Sequence, residues 1–332
     1  MNIKHNIQLQ PYNSFRTKAV AKLFCEPETE AELSEILQTY ADEPKLILGG
    51  GYNLFFTKDF DGLVIKPAMR GIKKLSENDD SVEMEVGAAE NWDDFVSYCV
   101  SHGYSGVENL SLIPGTVGAA PIQNIGAYGT EVKDVIVSVR AVEMASGESL
   151  EFSNAACEFE YRNSIFKRMR HYVITSVVFR LSKSFAYKEK YVDVGRELKD
   201  LSHPTLRQVR DAIIRIRTRK LPDATLLPNA GSFFKNPVLT KEEKERLLAK
   251  LPDAPVYNVG ENDFKTSAAY LIEKAGYKGK RKGDVGIYEH HALIIVNHGT
   301  ENGREIADFM REVQNTVFRQ FGVMLEPEVW VF

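Results

Sequence analysis

The chain has 332 residues, more than one hydrophobic core ordinarily organises, so two or three domains are expected. With 43% apolar and 27% charged residues it reads as neither a disordered nor a fibrous chain. A formal net charge of −4 gives no general attraction for nucleic acid or anionic lipid, so an anionic ligand must be met by local basic side chains or backbone N–H groups. No apolar run approaches the roughly 18 residues of a membrane span, and the first six residues lack the apolar core of a signal peptide. Cys25, Cys99 and Cys157 are few, odd in number and far apart, with no zinc spacing. Buried reduced thiols and a cytoplasmic location are the expectation, with no metal.

In chain order, Ala19–Phe24 reads as a strand. Thr29 and Glu32 form a capping box, followed by Leu33, Ile36, Leu37 and Tyr40 at helical spacing. Leu46-Ile47-Leu48 is a buried strand ending in three glycines, and Gly62–Lys66 is another strand. Val82, Met84 and Val86 alternate with Glu83 and Glu85, as on a half-buried strand. Asn91 caps a helix that Gly103 stops. Val135–Met144, the turn Ser146-Gly147 and Ser149–Phe152 predict a hairpin, and Tyr172–Leu181 a further strand. Thr205 caps a basic helix through Arg217.

Leu221-Pro222-Asp223 reads as a boundary. Beyond it, Thr240 and Glu243 cap a helix, Thr266–Ala275 is predicted as another, and Ala292–Asn297 is an apolar strand. Ile306, Phe309, Met310, Val313, Val317 and Phe321 stripe a long helix, and a terminal strand follows. The last third is therefore an α+β layer distinct from the first 220 residues.

Two glycine-rich segments stand out. Gly49-Gly50-Gly51-Tyr52-Asn53 follows a strand and can bring bare N–H groups to a phosphate. It is neither a Walker loop nor G-x-G-x-x-G, and a tight turn explains it equally well. The stretch from Leu112 to Gly129 holds four glycines, three alanines and two prolines with few charges. Such a backbone packs closely against something large and flat. A simple packing loop explains it less well, because Gln123 and Asn124 would carry amides into it.

At these residues the chain becomes recognisable. Gly106-Val107-Glu108-Asn109-Leu110, Ile113-Pro114-Gly115 and Gln123-Asn124-Ile125-Gly126-Ala127-Tyr128-Gly129 closely resemble the UDP-N-acetylenolpyruvoylglucosamine reductase family. Tyr161–Lys167, Asn229–Pro237 and Leu325–Val329 match further family signatures, in family order. The resemblance covers essentially the whole chain.

It implies an α+β chain: a two-lobed FAD-binding fold of the flavin oxidase type with a C-terminal α+β substrate-binding domain. The implied division is 1–220 for the FAD-binding region (lobes about 1–67 and 68–220), 221–328 for the substrate domain and 329–332 for a terminal strand. Gly49, Gly50, Gly51, Tyr52 and Asn53, with Pro114, Gly115, Gly118, Ala119, Gln123, Asn124, Ile125, Gly126 and Ala127, would form the FAD cradle, and Ile174 would run beside the flavin. The implied reaction is NADPH-dependent reduction of UDP-N-acetylglucosamine enolpyruvate to UDP-N-acetylmuramate, a step toward peptidoglycan. A monomer is expected.

Hydride attack on the enolpyruvyl alkene leaves negative charge spread toward the carboxylate, so the site needs a stabiliser and a proton donor. Arg162 matches the family's catalytic arginine, Ser232 its proton donor and Glu328 its catalytic glutamate. From the residues alone Glu326 could serve as well as Glu328, since it lies two positions away on the same side of a strand. Lys220, Lys235 and Asn236 are polar candidates to hold the diphosphate or sugar, and Tyr191 and Tyr257 match family tyrosines that close over the nucleotide. The chain departs from the family pattern at Tyr52 (usually a small Ser), Val192 (commonly Gly), His291, a candidate substrate ligand where Gln is frequent, and Trp330 (Arg in some members). Two other classes fit less well. One is an oxidase of the same fold acting on another alcohol or sugar, which would have no use for the Ser232 and Glu328 motifs. The other is a non-catalytic nucleotide-sugar binding protein, which would tolerate loss of groups that are all present.

Overall fold

The computed structural model describes residues 2–187 and 191–332. The chain divides into two compact units. The first comprises residues 1–7, 21–50 and 61–219, and the second 8–20, 51–60 and 220–332.

The first unit carries two sheets. A four-stranded sheet takes the order Lys4–Gln8, Val20–Cys25, Phe60–Ile65, Lys45–Ile47, the last two strands being parallel. The helix Glu30–Thr39 covers it with Leu33, Ile36 and Leu37, all buried. Thr29 caps this helix by accepting the Glu32 N–H at 3.1 Å, but only half of the expected box forms: the Glu32 carboxylate accepts from Glu28 N–H instead. The second sheet runs Ser149–Ser153, Ile136–Glu143, Tyr172–Ser182, Ser81–Gly87, Ile72–Glu77, antiparallel throughout. The predicted hairpin is its edge, and Val82, Met84 and Val86 point inward as the alternation required. The edge strand Ile72–Glu77 went unread because its side chains are mostly exposed and charged, leaving no apolar alternation. Trp92–Ser101 packs on this sheet through Trp92, Phe95 and Cys99, with Phe95 and Phe179 rings 4.8 Å apart. Asn91 caps it twice over, accepting from Asp93 and Asp94 N–H, and Gly103 ends it with φ of 75°. The basic helix runs Leu206–Lys220, three residues beyond expectation.

The second unit has a core around the helix Gly303–Phe321, whose buried stripe is the predicted one. A four-stranded sheet orders Asn229–Ser232, Ile294–Asn297, Val285–Ile287 and Arg281–Lys282; a three-stranded one orders Val238–Leu239, Phe264–Thr266 and Val256–Asn258. Thr240 and Glu243 form their capping box. The helix predicted from Thr266 begins at Ala268 and ends at Lys274. Thr266 belongs to the preceding strand, where its N–H is taken by Pro237 O, and Ser267 is the cap, accepting Tyr270 N–H at 3.2 Å.

Two N-terminal pieces are built into this unit. Gly51 turns with φ of 72°, and a Cβ there would lie 2.0 Å from Tyr12 O, so only glycine fits. Phe15, Phe55 and Phe233 cluster at ring separations of 5.4–6.0 Å. The terminal strand Trp330–Val331 pairs in parallel with Leu54–Phe55.

Candidate active site

In the first unit the second glycine-rich segment hangs from the sheet by main-chain bonds. Ala88 N–H donates to Thr175 O, Gly118 N–H to Ala88 O, Val117 N–H to Glu90 O and Trp92 N–H to Gly115 O, all at 2.9–3.1 Å. A Cβ at Gly118 would come within 2.6 Å of Ala88 Cβ, so this approach requires glycine. Gly49 lies against the same segment: its Cβ would meet Ala119 Cβ and Thr116 Oγ1 at 3.3 Å. Gly115, at φ 131°, has open space on its Cβ side. Gly50 and Gln123 are half-buried, Pro114 is exposed, and Ile174 is buried on the strand that carries Thr175.

The entry to this segment is pinned by an ion pair. Arg210 is bidentate to Asp93 at 2.8 and 2.9 Å and donates to Ser111 Oγ, while Leu112 N–H, at a strained φ of 59°, donates to Asp93 at 2.6 Å. Burial alone would raise the Asp93 carboxyl; the Arg210 guanidinium and the Leu112 N–H outweigh it and hold it below the ordinary value.

Arg162 sits on the far end of the segment. Its Nη2 donates to Gly126 O at 2.6 Å and its Nη1 to Asn124 O at 3.3 Å, with Glu131 Oε1 3.8 Å away and the Tyr161 ring 5.2 Å off. Asn124 is fully buried and its amide is committed to protein groups: Nδ2 donates to Glu131 Oε2 and Glu160 O, and Oδ1 accepts from Lys133 N–H. Ile125 bridges Ala120 and Val132, and Gly126-Ala127 pairs with Thr130-Glu131 in a two-residue ladder. Tyr191 is half-exposed and its ring meets that of Tyr128 edge to face, with centroids 5.5 Å apart; residues 188–190 lie outside the described residues. Arg217, beside Tyr128, has its Nε buried without a hydrogen-bond partner, and burial pushes its pKa down.

The second unit brings Ser232, Lys235, Glu326, Glu328 and Asn53 together through the main chain. Phe233 N–H donates to Leu293 O, Glu328 N–H to Phe233 O, and Lys235 N–H to Glu326 O, at 2.8–2.9 Å. Asn53 bonds the same segment twice: its Nδ2 donates to Glu328 O at 3.2 Å and its carbonyl accepts Trp330 N–H. Ser232 is exposed, next to Gly231 at φ 69°, and Glu328 is half-buried. Glu326 is exposed and ion-paired to Lys235 at 2.5 Å. The two glutamates, which the residues alone left equivalent and the family match distinguished, thus differ in exposure. Asn236 Oδ1 caps the helix at Ala268 N–H, and Tyr257 is 65% exposed on the small sheet, opposite Lys265. His291 accepts Leu293 N–H through Nδ1; burial, then Lys220 and Lys278, hold its pKa below the ordinary value. Tyr52 is half-buried in the turn after Gly51.

These features fit a flavin dinucleotide: a close-packed, nearly uncharged backbone loop with an open face at Gly115, and a buried guanidinium Nε lacking an acceptor. Residues 21–153 match the model of an FAD binding domain, and residues 222–332 that of the C-terminal domain of UDP-N-acetylenolpyruvoylglucosamine reductase. The chain is 46% identical to the UDP-N-acetylenolpyruvoylglucosamine reductase of Flavobacterium johnsoniae, over 99% of both chains. It is 41% identical to that of Pseudomonas aeruginosa, over 99% of this chain and 98% of the relative.

The chain belongs to the UDP-N-acetylenolpyruvoylglucosamine reductase family.

It is accordingly an FAD-containing oxidoreductase with the α+β, two-lobed FAD-binding fold expected of the family. The crystal structure of the Thermus caldophilus reductase, at 24% identity, shares the fold over 100% of this chain and 99% of its own, with a TM-score of 0.70. Among the described residues no helix is long and apolar enough to cross a membrane.

The sequence did not single out Glu131, Tyr128, Arg217 or the Asp93–Arg210 pair. Glu131 carried one readable signal: it is the first acid after a long, nearly uncharged glycine-rich run. Arg210 and Arg217 looked like any exposed basic residues of a helix.

Proposed function

We propose that this family member reduces UDP-N-acetylglucosamine enolpyruvate to UDP-N-acetylmuramate with NADPH as donor, and that Arg162, Ser232 and Glu328 are its catalytic residues. FAD, when bound, supplies a carrier that accepts hydride from NADPH and yields it to the vinyl carbon. Gly49, Gly50, Gly115, Gly118 and Ala119 would hold it by their close, side-chain-poor backbone, with Ile174 as a further residue of its site. Gly51, Tyr52 and Asn53 are assigned to the same cofactor, as are Pro114 and Gln123–Ala127.

Arg162 stabilises the negative charge that develops toward the substrate carboxylate, its plane fixed by the carbonyls of Asn124 and Gly126. Ser232 gives its hydroxyl proton to the carbon next to the one that receives hydride. Glu328 lies beside it and polarises the same end of the substrate. Lys220, Lys235, Asn236, Tyr191, Tyr257 and His291 are assigned to the nucleotide sugar. The observation that carries the reading is the main-chain ladder that locks Ser232-Phe233 to Glu328. It presents an exposed hydroxyl and a carboxyl from two hydrogen-bonded segments, as a proton-delivering pair requires.

The test separates the two half-reactions under anaerobic stopped flow. Ser232→Ala removes a hydroxyl and no main-chain bond, so NADPH should bleach the flavin at the normal rate. Reoxidation by the enolpyruvyl substrate should slow by about 10²–10⁴, the value of a positioned general acid. Equal slowing of both half-reactions would place Ser232 in the flavin's support instead. A colourless protein that cannot be reconstituted with FAD would defeat the whole reading.

Three further assignments accompany it. The chain acts in the cytoplasm, where its three buried free thiols stay reduced; burial pushes Cys25 and Cys157 up to about 12, where they are inert. It needs no nucleic acid or membrane partner, and it acts as a monomer, which sedimentation of the holoenzyme tests.

A further inference from the structure

Three non-glycine residues around Arg162 adopt left-handed backbone: Asn124 (φ 46°), Tyr128 (φ 49°) and Arg162 itself (φ 54°). Such conformations cost free energy and persist where surrounding contacts over-determine them. Two of the three, Asn124 and Arg162, share one side-chain neighbour, Glu131. Its Oε2 accepts Asn124 Nδ2 at 3.0 Å and lies 3.0 Å from Lys133 Nζ, while its Oε1 is 3.8 Å from Arg162 Nη1. Both groups are largely buried, with side-chain exposures of 26% and 20%.

The carboxylate is itself fixed from behind. Glu131 is the cap of a short 3-10 turn and forms a reciprocal box with Asp134, whose Oδ2 accepts Glu131 N–H at 3.0 Å. Glu131 also pairs across the ladder with Gly126. The absence of a side chain at Gly126 creates the space in which carboxylate and guanidinium meet: a Cβ there would lie 2.9 Å from Arg162 Nη1 and 3.0 Å from Glu131 Cγ. One acid thus holds the guanidinium and the amide of Asn124, whose carbonyl is a second hold on the same guanidinium.

We propose that Glu131 is a positioning residue for Arg162, setting the direction of the guanidinium for the substrate half-reaction alone. This rests on the role assigned to Arg162 above. A misplacement of about 1 Å in a catalytic group costs on the order of 10² in rate. NADPH oxidation has no developing carboxylate charge for Arg162 to meet, so it is untouched by such a misplacement.

The experiment compares Glu131→Ala, Glu131→Gln, Arg162→Lys and the double variant Glu131→Ala/Arg162→Lys. In Glu131→Ala, substrate-driven flavin reoxidation slows on the order of 10²-fold, while the NADPH half-reaction stays within about twofold. FAD content, the visible flavin spectrum and the melting temperature of the apoprotein stay close to wild type. Glu131→Gln keeps an acceptor for Asn124 but loses the ion pair, so it falls between Ala and wild type. It also keeps the test open if the alanine variant fails to fold. The double variant is no slower than Arg162→Lys alone, because both changes act through one group. Loss of FAD, equal slowing of both half-reactions, additive effects in the double variant, or a wild-type rate in Glu131→Ala would each overturn the proposal. If Arg162→Lys slows reoxidation but Glu131→Ala does not, only the positioning role falls; if neither does, the assignment of Arg162 falls with it.

Discussion

Arg162 and the Ser232–Glu328 pair are held in place by different kinds of bond. The Arg162 guanidinium is a side chain docked on a loop with three left-handed residues: it donates to the carbonyls of Gly126 and Asn124 with the Glu131 carboxylate 3.8 Å away, so removing that carboxylate or adding a methyl at Gly126 displaces it. Ser232 and Glu328 ride on main-chain hydrogen bonds between adjacent segments, which no side-chain substitution directly removes. A substitution at Ser232 or Glu328 therefore deletes a functional group and leaves the scaffold. Around Arg162, substitutions at residues that never meet substrate should be nearly as damaging as those at the arginine.

The largest effect is expected where the scaffold is most robust. Glu328→Gln should slow substrate-driven flavin reoxidation by about 10²–10⁴ with little change in melting temperature, as loss of a positioned acid–base group does. Glu326→Gln is its internal control. That carboxylate is exposed and engaged with Lys235, so activity should hold and stability should move by less than about 1 kcal/mol. Reversed outcomes for the two glutamates would exchange their roles.

Gly126→Ala probes the fragile side of the comparison. The added methyl overlaps Arg162 Nη1 and Glu131 Cγ, so one of them must move. We expect reoxidation to fall on the order of 10²-fold and stability to fall by about 1–3 kcal/mol, as overpacking does. Denaturant unfolding and stopped flow on the same preparation check both, and an unchanged reoxidation rate would mean that the guanidinium tolerates displacement.

Asp93→Asn extends the test to the other end of the glycine-rich segment. It removes one partner of a largely buried ion pair and should cost about 3 kcal/mol. It also changes the pH dependence with a definite sign. The folded carboxyl titrates below its ordinary value, so its contribution is complete above the unfolded value near 3.8 and is lost as pH falls through the lower folded value. The variant should therefore show a flatter acid limb in a stability–pH profile. FAD affinity should fall as well, because the entry at Leu112 loses its anchor.

The smallest effect belongs to Tyr257, exposed on the small sheet and far less constrained than either region. Tyr257→Phe should raise KM several-fold with kcat nearly unchanged, about 1 kcal/mol for one hydrogen bond. A pure kcat loss would move Tyr257 into the chemistry.

By itself the sequence determined the local elements and the family. The Asn91 cap, the Thr240 box, the hairpin through Ser146-Gly147 and the stripe of the long C-terminal helix were all legible, because each is fixed by hydrogen bonds or side-chain faces within a few residues. The ordered motifs named the chemistry and its three catalytic candidates. Only the tertiary structure turned the Asn124 amide inward, paired Glu326 with Lys235, shortened the helix expected at Thr266 by giving that residue to a strand, and set Glu131 beside Arg162. The same is true of the incorporation of residues 8–20 and 51–60 into the second unit, where Thr17 Oγ1 meets Phe56 N–H across 39 positions of chain. Contacts between distant segments leave no period in the sequence. They are decided when the chain closes and each buried donor, acceptor and charge must find a partner in the same small volume.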